Sequence, residues 1–329
     1  MADLTVEKIV ELKTQGWTNR QIARELLGKE SRESWIRLQL KKAQANFDEI
    51  AGEAAERFLE ENRGAKVWVF DIETSPTLGW FFGHYKTNIQ TCGIEIFPYM
   101  LTFSGKWLDS PAVVSRMLPN YATWKDDIHN DIELVGDLWQ YLDRSDIVIA
   151  HNSGFDTQWA NTRFAFHDMP PVSPYREIDT LKMIKKAFRL NANTLEYACK
   201  YFELEKQKLT DHTMAMWIGC VNGDLSCFNQ MMEYNDYDIL SLEGLYLLAR
   251  PFAKQHPNMA LFYHDEEPVM RCPKCGSIHL HKEDGKLAFT QLSEFEVYRC
   301  EDCGAVSRDR RNIRTREEMK KILTQALTQ

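Results

Sequence analysis

Two acidic residues follow an apolar run near residue 70. The segment 66–74 reads KVWVFDIET and places Asp71 and Glu73 two positions apart. Residues i and i+2 of a β-strand point to the same face, so we expect the two carboxylates side by side. Two close carboxylates with apolar neighbours are costly to ionise together unless a cation compensates them. The pair predicts a divalent metal with hard oxygen ligands; the alternative is a strand end whose acids meet water.

Two later segments add further acids. Asp156 follows the apolar run 146–150, at the point where a buried strand is expected to meet a helix. Tyr234 and Asp238 lie four residues apart, so they share a face of the helix that the pattern predicts over 227–249. A buried acid and a buried phenol need polar partners, because burying them unpaired costs on the order of several kcal/mol. Three separate elements must therefore bring these groups together.

Four cysteines form a second group with metal-binding spacing. They stand in two C-x-x-C pairs, Cys272/Cys275 and Cys300/Cys303, separated by 24 residues and each followed by glycine. This spacing predicts one Zn²⁺ held by four thiolates. Four protein ligands leave no open position, so the ion is expected to be structural. The stretches after Lys286 and Ser293 are typical of β-strands, which predicts a zinc ribbon over 268–310.

The elements that must position the carboxylates follow a recognisable order. Apolar patterning predicts strands at 66–74, 99–107, 112–118 and 146–150. It predicts helices at 124–142, 155–167, 178–190, 194–203, 209–219 and 227–249. Strands that come first and then alternate with helices indicate an α/β domain with a mixed sheet flanked by helices.

The three acidic segments, taken in order, carry a family resemblance. Asp71-Ile72-Glu73, the segment 150–156 (AHNSGFD) and Tyr234-x-x-x-Asp238 resemble the three motifs of the DEDD (DnaQ-like) 3′–5′ exonucleases. Those enzymes have the ribonuclease H-like fold, which we therefore expect over residues 65–255. One branch of the family has histidine five positions before the last aspartate, where this chain has Glu233. The sequence is thus similar to the tyrosine branch.

The resemblance implies a site with two Mg²⁺ or Mn²⁺ ions, about 4 Å apart, that hydrolyses phosphodiester bonds. It implies that Asp71 bridges both ions and that Glu73 and Asp238 complete the site of the ion that activates water. Asp156 would hold the second ion. Tyr234 would orient the attacking water, because a free phenol with a pKa of about 10 is a poor base by itself.

Residues near the motifs are expected to assist. His151 and Asn152 would support the metal ligands, and a hydrogen-bonded histidine that stabilises the turn is the favoured reading over a direct role. The aromatic loop after Thr77, which contains Trp80, Phe81, Phe82 and Tyr85, could stack unpaired bases or pack in the core. Lysines at helical spacing could follow the phosphate backbone, or form a solvated face; they are Lys182, Lys185 and Lys186, with Arg189 after them.

Both ends of the chain suggest nucleic-acid-binding modules. Residues 1–42 predict short helices, with a capping box at Thr18 and Gln21, that resemble a helix-turn-helix. Arg32 and Arg37 would then face the DNA groove; the alternative is a small helical bundle. Residues 43–64 predict a connector helix and residues 311–329 a basic C-terminal helix. The nearby arginines that could contact phosphates, unless they form a solvated tail, are Arg308, Arg310 and Arg311.

The charge distribution agrees with such a division. The 329 residues carry a net charge of −8, yet residues 1–42 and residues 299–321 are each at +3. The rest of the chain is therefore strongly acidic, and the predicted carboxylate cluster belongs to this acidic part. No apolar run approaches the roughly 20 residues needed to span a bilayer, and the first 15 residues are polar, so we expect an intracellular protein with no membrane partner.

Together these features predict a three-part nuclease that removes nucleotides from a single-stranded or frayed 3′ end of DNA. The architecture suggests DNA replication, repair or recombination, with a phage or mobile element as a source and the host cytoplasm as its location. RNA as the substrate is one alternative. A DNA-binding scaffold protein with an inactive site is another. The chain contains no polymerase domain, so a polymerase partner is left open.

Overall fold

A computed structural model describes residues 8–9, 12–13, 17–28, 36, 52–60, 64–83, 89–204 and 213–324. The chain divides into two compact units. The first comprises Met1–Asn62, Lys66–Lys185 and Arg189–Leu245; the second comprises Arg63–Ala65, Lys186–Phe188 and Tyr246–Gln329. Within the described residues, no helix is both long and apolar enough to cross a membrane.

A five-stranded mixed sheet forms the centre of the first unit. Its strands are β1 (Val67–Thr74), β4 (Met100–Trp107), β5 (Val114–Met117), β6 (Ile147–Ala150) and β7 (Arg176–Asp179). The strand order is β5-β4-β1-β6-β7. β1 is antiparallel to β4 and parallel to β6, and β7 is parallel to β6. A short pair, β2 (Leu78–Gly79) and β3 (Ile94–Ile96), lies outside this sheet. The predicted α/β fold with a mixed sheet is confirmed.

Helices flank this sheet. In chain order, the α-helices assigned up to residue 249 are α1 (Asn19–Leu27), α2 (Thr123–Asp126), α3 (Ile132–Asp143), α4 (Gly154–Phe166), α5 (Thr180–Ala187), α6 (Leu195–Tyr201), α7 (Met214–Val221) and α8 (Leu225–Ala249). Residues 52–60 are also helical, within the segment predicted as a connector helix. The 25-residue helix α8 is the longest of these elements.

Strand β1 has one face in the main hydrophobic core. Trp68 is fully buried, stacks on Tyr141 at a centroid distance of 4.5 Å and meets Trp107 edge-on at 4.8 Å. Gly105 lies opposite β1, where an added Cβ would come within 2.4 Å of the Trp68 ring. Aromatic packing of this kind stabilises β1 by burying large apolar surfaces. The opposite face of the strand is therefore the one that carries Asp71 and Glu73.

Two elements differ from the sequence prediction. The helix expected over 124–142 is broken into α2 and α3, and Asp131 lies in the break, fully buried. Its carboxylate accepts hydrogen bonds from the Met100 backbone N–H (2.7 Å) and from the Arg163 guanidinium (2.6 Å). The helix expected from residue 178 begins at Thr180, because residues 176–179 pair with β6 as a strand. Both differences result from contacts that are distant in sequence.

The amino-terminal segment is only partly described. The predicted capping box forms, with Gln21 N–H donating to Thr18 Oγ1 at 3.0 Å, and Gly28 ends α1 in the left-handed region at φ 66°. Ile9, Ile22 and Ile36 are fully buried in a small cluster. Arg32 and Arg37 lie outside the described residues, so the helix-turn-helix and its contacts with DNA stay predictions.

The second unit contains a three-stranded antiparallel sheet of order β10-β9-β8, built from β8 (Leu280–Phe289), β9 (Glu294–Cys300) and β10 (Val306–Arg308). Only Arg316–Met319 (α9) is helical among the described residues of the predicted basic helix 311–329. The preceding residues are held against β9 instead: Ile313 N–H donates to the Glu294 carbonyl at 2.9 Å and Arg314 pairs with the Glu294 carboxylate.

His256 is a partly buried titratable group of the second unit. Its Nδ1 lies 2.6 Å from the Pro257 carbonyl, which can only accept, so Nδ1 carries the hydrogen. Tyr246 Oη then donates to Nε2 at 3.0 Å. Burial, opposed by the Pro257 bond and reinforced by the charges of Lys274 and Arg250, lowers the pKa of His256 to about 4. The folded protein therefore holds this imidazole neutral.

This depressed pKa predicts a loss of stability in mild acid. An unfolded histidine takes up a proton below about pH 6.5, whereas folded His256 does so only near pH 4. The contribution of His256 to the free energy of unfolding is thus fully present above about pH 6.5. It decreases as the pH falls, by about 2 kcal/mol at pH 5. Chemical denaturation at pH 7 and pH 5 should show a smaller difference for His256→Phe than for wild type. His281→Gln changes an exposed histidine and should show the same stability difference between the two pH values as wild type. An equally large difference in His256→Phe would contradict this assignment.

Candidate functional site

Three of the predicted metal ligands come together in the first unit. Asp71 and Glu73 on β1 and Asp238 on α8 each offer an oxygen, and these oxygens all lie within 4.8 Å of one another. Asp71 and Glu73 are partly buried and Asp238 is buried, with 3% of its surface exposed. Carboxylate oxygens are the ligands that Mg²⁺ and Mn²⁺ prefer. Three like charges at this distance fit a divalent cation.

Two residues close to Asp238 on α8, Asn235 and Asp236, hold this helix against the sheet face that carries Asp71. Asp71, Ser104 and Ser115 lie opposite one another on β1, β4 and β5, which makes a polar row across three strands. Asn235 Nδ2 donates to Asp71 Oδ2 at 2.6 Å. Asp236 accepts hydrogen bonds from the hydroxyls of Ser104, at 2.7 Å, and Ser115. These contacts set the position at which Asp238, further along α8, reaches the carboxylates of β1.

Tyr234 lies beside the carboxylates as a protonated phenol. It is buried, and its ring meets Trp217 edge-on at a centroid distance of 6.3 Å. Burial raises the pKa of Tyr234 above its ordinary value, and the negative charges of Asp238, Glu73 and Asp71 and a hydrogen bond to Asp238 raise it further. A phenol held in this form can donate a hydrogen bond or orient a water molecule, but it does not act as a base near neutral pH.

Asp156 lies close to β1 but outside the group of three. It belongs to the first turn of α4 and is 2% exposed. β6 pairs with β1 only as far as Val69 and Ile149, and beyond this point Asp156 Oδ1 accepts the backbone N–H of Ile72 at 3.2 Å. Burial raises the pKa of Asp156 to about 8, despite the opposing effect of the Ile72 bond. Its carboxyl group is thus readily protonated unless a nearby cation compensates it.

His151 and Asn152 support the turn after β6. His151 Nε2 lies 3.0 Å from the Asn193 carbonyl and Nδ1 lies 2.9 Å from Thr180 Oγ1, so both ring nitrogens have partners. Asn152 adopts φ 66°, and its N–H donates to Asp179 Oδ1 at 3.2 Å. Asp179 Oδ1 also accepts the Lys182 N–H at 3.2 Å, the bond by which an N-cap residue satisfies the first turn of a helix. These bonds favour a supporting role for His151 over a direct one.

An open pocket of about 520 Å³ lies in front of the carboxylates. Its lining combines acidic, apolar, polar and basic side chains: Asp71, His151, Asn152, Leu181, Lys185, Asn193, Thr194, Leu195 and Asp238. The α5 lysines differ in their partners. Lys182 pairs with Asp179 at 3.0 Å and Lys186 donates to Gln255 at 2.6 Å. Lys185 is exposed, lines the pocket, and has no ion-pair partner among the described residues.

The predicted aromatic loop is a surface feature. Trp80, Phe81 and Phe82 are all exposed, each with more than half of its surface accessible. The sequence allowed either base stacking or packing in the core for these residues. Core packing is wrong for Trp80, Phe81 and Phe82. Tyr85 lies outside the described residues. Exposed aromatic rings suit base stacking, which stays a prediction.

The four cysteines of the second unit also converge. Their sulfurs all lie within 4.8 Å of one another, with 3.7 Å between Cys272 and Cys303 and 3.5 Å between Cys275 and Cys300. Ligands about 2.3 Å from a tetrahedral zinc lie roughly 3.8 Å apart, whereas disulfide sulfurs lie about 2 Å apart. The spacing fits a shared ion and not a disulfide.

The two cysteine pairs have the same backbone geometry. Gly276 donates to the Cys272 carbonyl and Gly304 to the Cys300 carbonyl, both at 2.9 Å, with φ of 78° and 75°. Glycine adopts this left-handed conformation without strain. Hydrogen bonding from Cys275 lowers the pKa of Cys272 to about 5. Such a sulfur is a thiolate at neutral pH, the form that binds zinc. The donor set therefore fits Zn²⁺, while the zinc ribbon itself stays a prediction.

The arginines of the second unit that are predicted to contact nucleic acid are exposed. Arg308, Arg310 and Arg311 all lie at the surface. The Arg308 guanidinium stacks over the Phe295 ring at 3.9 Å. This stacking and the hydrogen bond from Arg308 Nη1 to the Asp309 carbonyl, at 3.2 Å, reduce the freedom of Arg308. A guanidinium has five N–H donors, so others could bind a phosphate.

Sequence reasoning missed Asn235, which binds Asp71 directly. Its position three residues before Asp238 on the predicted helix was the available signal, because i and i+3 share a helix face. The role of Asp236 was also missed: its carboxylate accepts hydrogen bonds from Ser104 on β4 and Ser115 on β5.

Comparison with known proteins adds no relative. A scan against models of known protein families finds no match, and a search of curated proteins finds no similar sequence. The functional interpretation therefore depends on the residues and their geometry.

The cysteine group makes a testable prediction about zinc. Purified protein should contain about one zinc per chain, because four thiolates within reach of one ion bind zinc tightly. Cys300→Ser should lower this ratio well below one and increase proteolysis within residues 268–310. Elemental analysis and limited proteolysis measure both effects. Cys92→Ser, at an exposed cysteine outside the group, should behave as wild type; zinc retained in full by Cys300→Ser would show that the group is not the site.

Proposed function

We propose that the protein is a metal-dependent 3′–5′ exonuclease of the DEDD class that hydrolyses DNA. The convergence of Asp71, Glu73 and Asp238 within 4.8 Å, with Tyr234 beside them, is the observation that carries this proposal. The mixed sheet order is compatible with the ribonuclease H-like fold of that class. The carboxyl ends of parallel strands are where α/β sheets place functional groups.

The chain's own residues would divide the work. Asp71, Glu73 and Asp238 would hold a divalent cation, and Asp156, which lies next to β1, would serve a second one. Such cations lower the pKa of a bound water and neutralise charge on phosphate. Tyr234, protonated and buried, would orient the attacking water by hydrogen bonding. Water orientation of this kind contributes to the rate by fixing a reactive geometry.

The pocket in front of the carboxylates would receive the 3′-terminal nucleotide. Leu181 and Leu195 provide apolar surface for a base or sugar, while Asn193 and Thr194 provide polar groups. Lys185 adds a positive charge that would attract a phosphate. The exposed arginines of the second unit and the amino-terminal module would add affinity for the nucleic acid. Action on DNA in replication, repair or recombination is the role we propose.

The site assignment is tested by Asp71→Ala. Loss of a ligand shared by the cluster should reduce Mg²⁺-dependent release of mononucleotides by more than about 100-fold, because the remaining carboxylates no longer enclose the ion. The assay uses 5′-labelled single-stranded DNA, duplex DNA and RNA, with Mg²⁺ or Mn²⁺. The exposed Asp126→Asn is the control and should retain wild-type rates.

Each result of this assay has a distinct meaning. Wild-type activity in Asp71→Ala would overturn the site. Digestion of RNA but not DNA would make the protein an exoribonuclease. A wild-type protein that binds DNA and digests none of the substrates would be a DNA-binding scaffold, and internal or 5′ cleavage would refute the proposed polarity.

The role of Lys185 is tested separately. Lys185→Ala should raise the KM for DNA about five- to tenfold, the effect of losing roughly 1 kcal/mol of phosphate attraction. Lys182→Ala removes the same charge from the same helix, but its ammonium group is paired with Asp179. The control should change KM less than twofold. Equal effects in both variants would indicate a general charge effect instead of a contact in the pocket.

A further inference from the structure

Asn235 makes an unusually direct contact with the carboxylate cluster. The residue is completely buried, and its Nδ2 donates to Asp71 Oδ2 at 2.6 Å. The two residues are 164 positions apart in sequence, so this bond joins α8 to β1. Burying an amide without hydrogen bonds costs about 1–3 kcal/mol. A buried amide at this position therefore needs a reason: either it docks α8 on the sheet, or it serves the carboxylates.

Helix docking alone does not account for Asn235. The next residue, Asp236, already binds α8 to the polar row through Ser104 and Ser115. The Oδ1 atom of Asn235 has no hydrogen-bond partner among the described residues, although it is buried. A residue selected only for packing would be apolar at such a position, because an apolar side chain of similar size leaves no polar atom unsatisfied. The donor end, which faces Asp71, is the part that the structure uses.

The chemistry of an amide suits this position. An ionised carboxylate offers about four lone-pair sites, and one hydrogen bond occupies one of them while fixing the carboxylate plane. A neutral donor leaves the charge of Asp71 intact for a cation, whereas lysine or arginine would compete with that cation. An acidic residue would add repulsion to Glu73 and Asp238. Partners of this kind orient metal ligands, and losing one lowers metal affinity about 10- to 100-fold.

We infer that Asn235 is a positioning residue of the metal site: its amide holds Asp71 in the orientation in which one cation can also reach Glu73 and Asp238. The inference rests on the metal site of the proposed function. It does not depend on which nucleic acid is the substrate or on whether hydrolysis occurs.

The test measures Mn²⁺ binding to the full chain without substrate, by electron paramagnetic resonance of free Mn²⁺. Asn235→Leu has nearly the same size and lacks the donor, and it should raise the Kd for Mn²⁺ about 10- to 100-fold. Asn235→Ala lacks the same donor and is too small to clash with its neighbours. This variant is measured if Asn235→Leu does not fold. Ser145→Ala, which removes a buried side-chain hydrogen bond to the Tyr141 carbonyl (2.7 Å) and no bond of the metal site, is the control and should bind Mn²⁺ as wild type.

A nuclease assay on the same proteins separates affinity from folding. Activity of Asn235→Leu should return towards wild type at raised Mg²⁺, with little change in the KM for DNA. Unchanged Mn²⁺ affinity in a folded Asn235 variant would overturn the inference, as would failure of both variants to fold, which would assign Asn235 to stability. If wild type binds Mn²⁺ and digests nothing, the proposed function fails while the comparison of Kd values still decides the role of Asn235. If neither wild type nor Asn235→Leu binds Mn²⁺ at the cluster, the inference fails with the site.

Discussion

Electrostatic repulsion among three carboxylates is the constraint on which the first unit depends. Two unit charges 4 Å apart repel by about 1 kcal/mol in water and about 4 kcal/mol near a protein surface. Asp71, Glu73 and Asp238 have oxygens within 4.8 Å of one another, and Asp238 is buried, so water screens it poorly. Without a cation, the packing around them must supply the free energy that keeps them together. A site that stores repulsion in this way is one that a divalent ion stabilises on binding.

The surrounding structure meets this constraint in two ways. One face of β1 is fixed in the core by Trp68, whose stacking on Tyr141 anchors the strand independently of its charged face. Helix α8 is joined to the sheet by side-chain hydrogen bonds. Asn235 donates to Asp71, and Asp236 accepts from Ser104 and Ser115. The site also limits its own charge, since burial raises the pKa values of Tyr234 and Asp156.

The second unit applies the same principle with softer ligands. Four sulfurs lie at the spacing of a tetrahedral site, and one of them, Cys272, is held as a thiolate by hydrogen bonding from Cys275. Thiolates favour zinc, whereas carboxylates favour magnesium and manganese. Each unit therefore presents a donor set of one chemical kind. Glycines at Gly276 and Gly304 allow both turns of the cysteine site to close tightly.

The sequence by itself determined the parts of the protein that depend on local periodicity. A two-residue step places Asp71 and Glu73 on one strand face, a four-residue step places Tyr234 and Asp238 on one helix face, and the C-x-x-C spacing pairs the cysteines. The mixed sheet followed from the order of elements.

Tertiary structure decided the rest. It placed Asn235 on Asp71, Asp236 on the serines of two strands, and Asp156 on Ile72 and outside the group of three. It also made residues 176–179 a strand and broke the helix predicted over 124–142. These features join residues far apart in the chain, and packing energy, which no local pattern of residue types encodes, selects them.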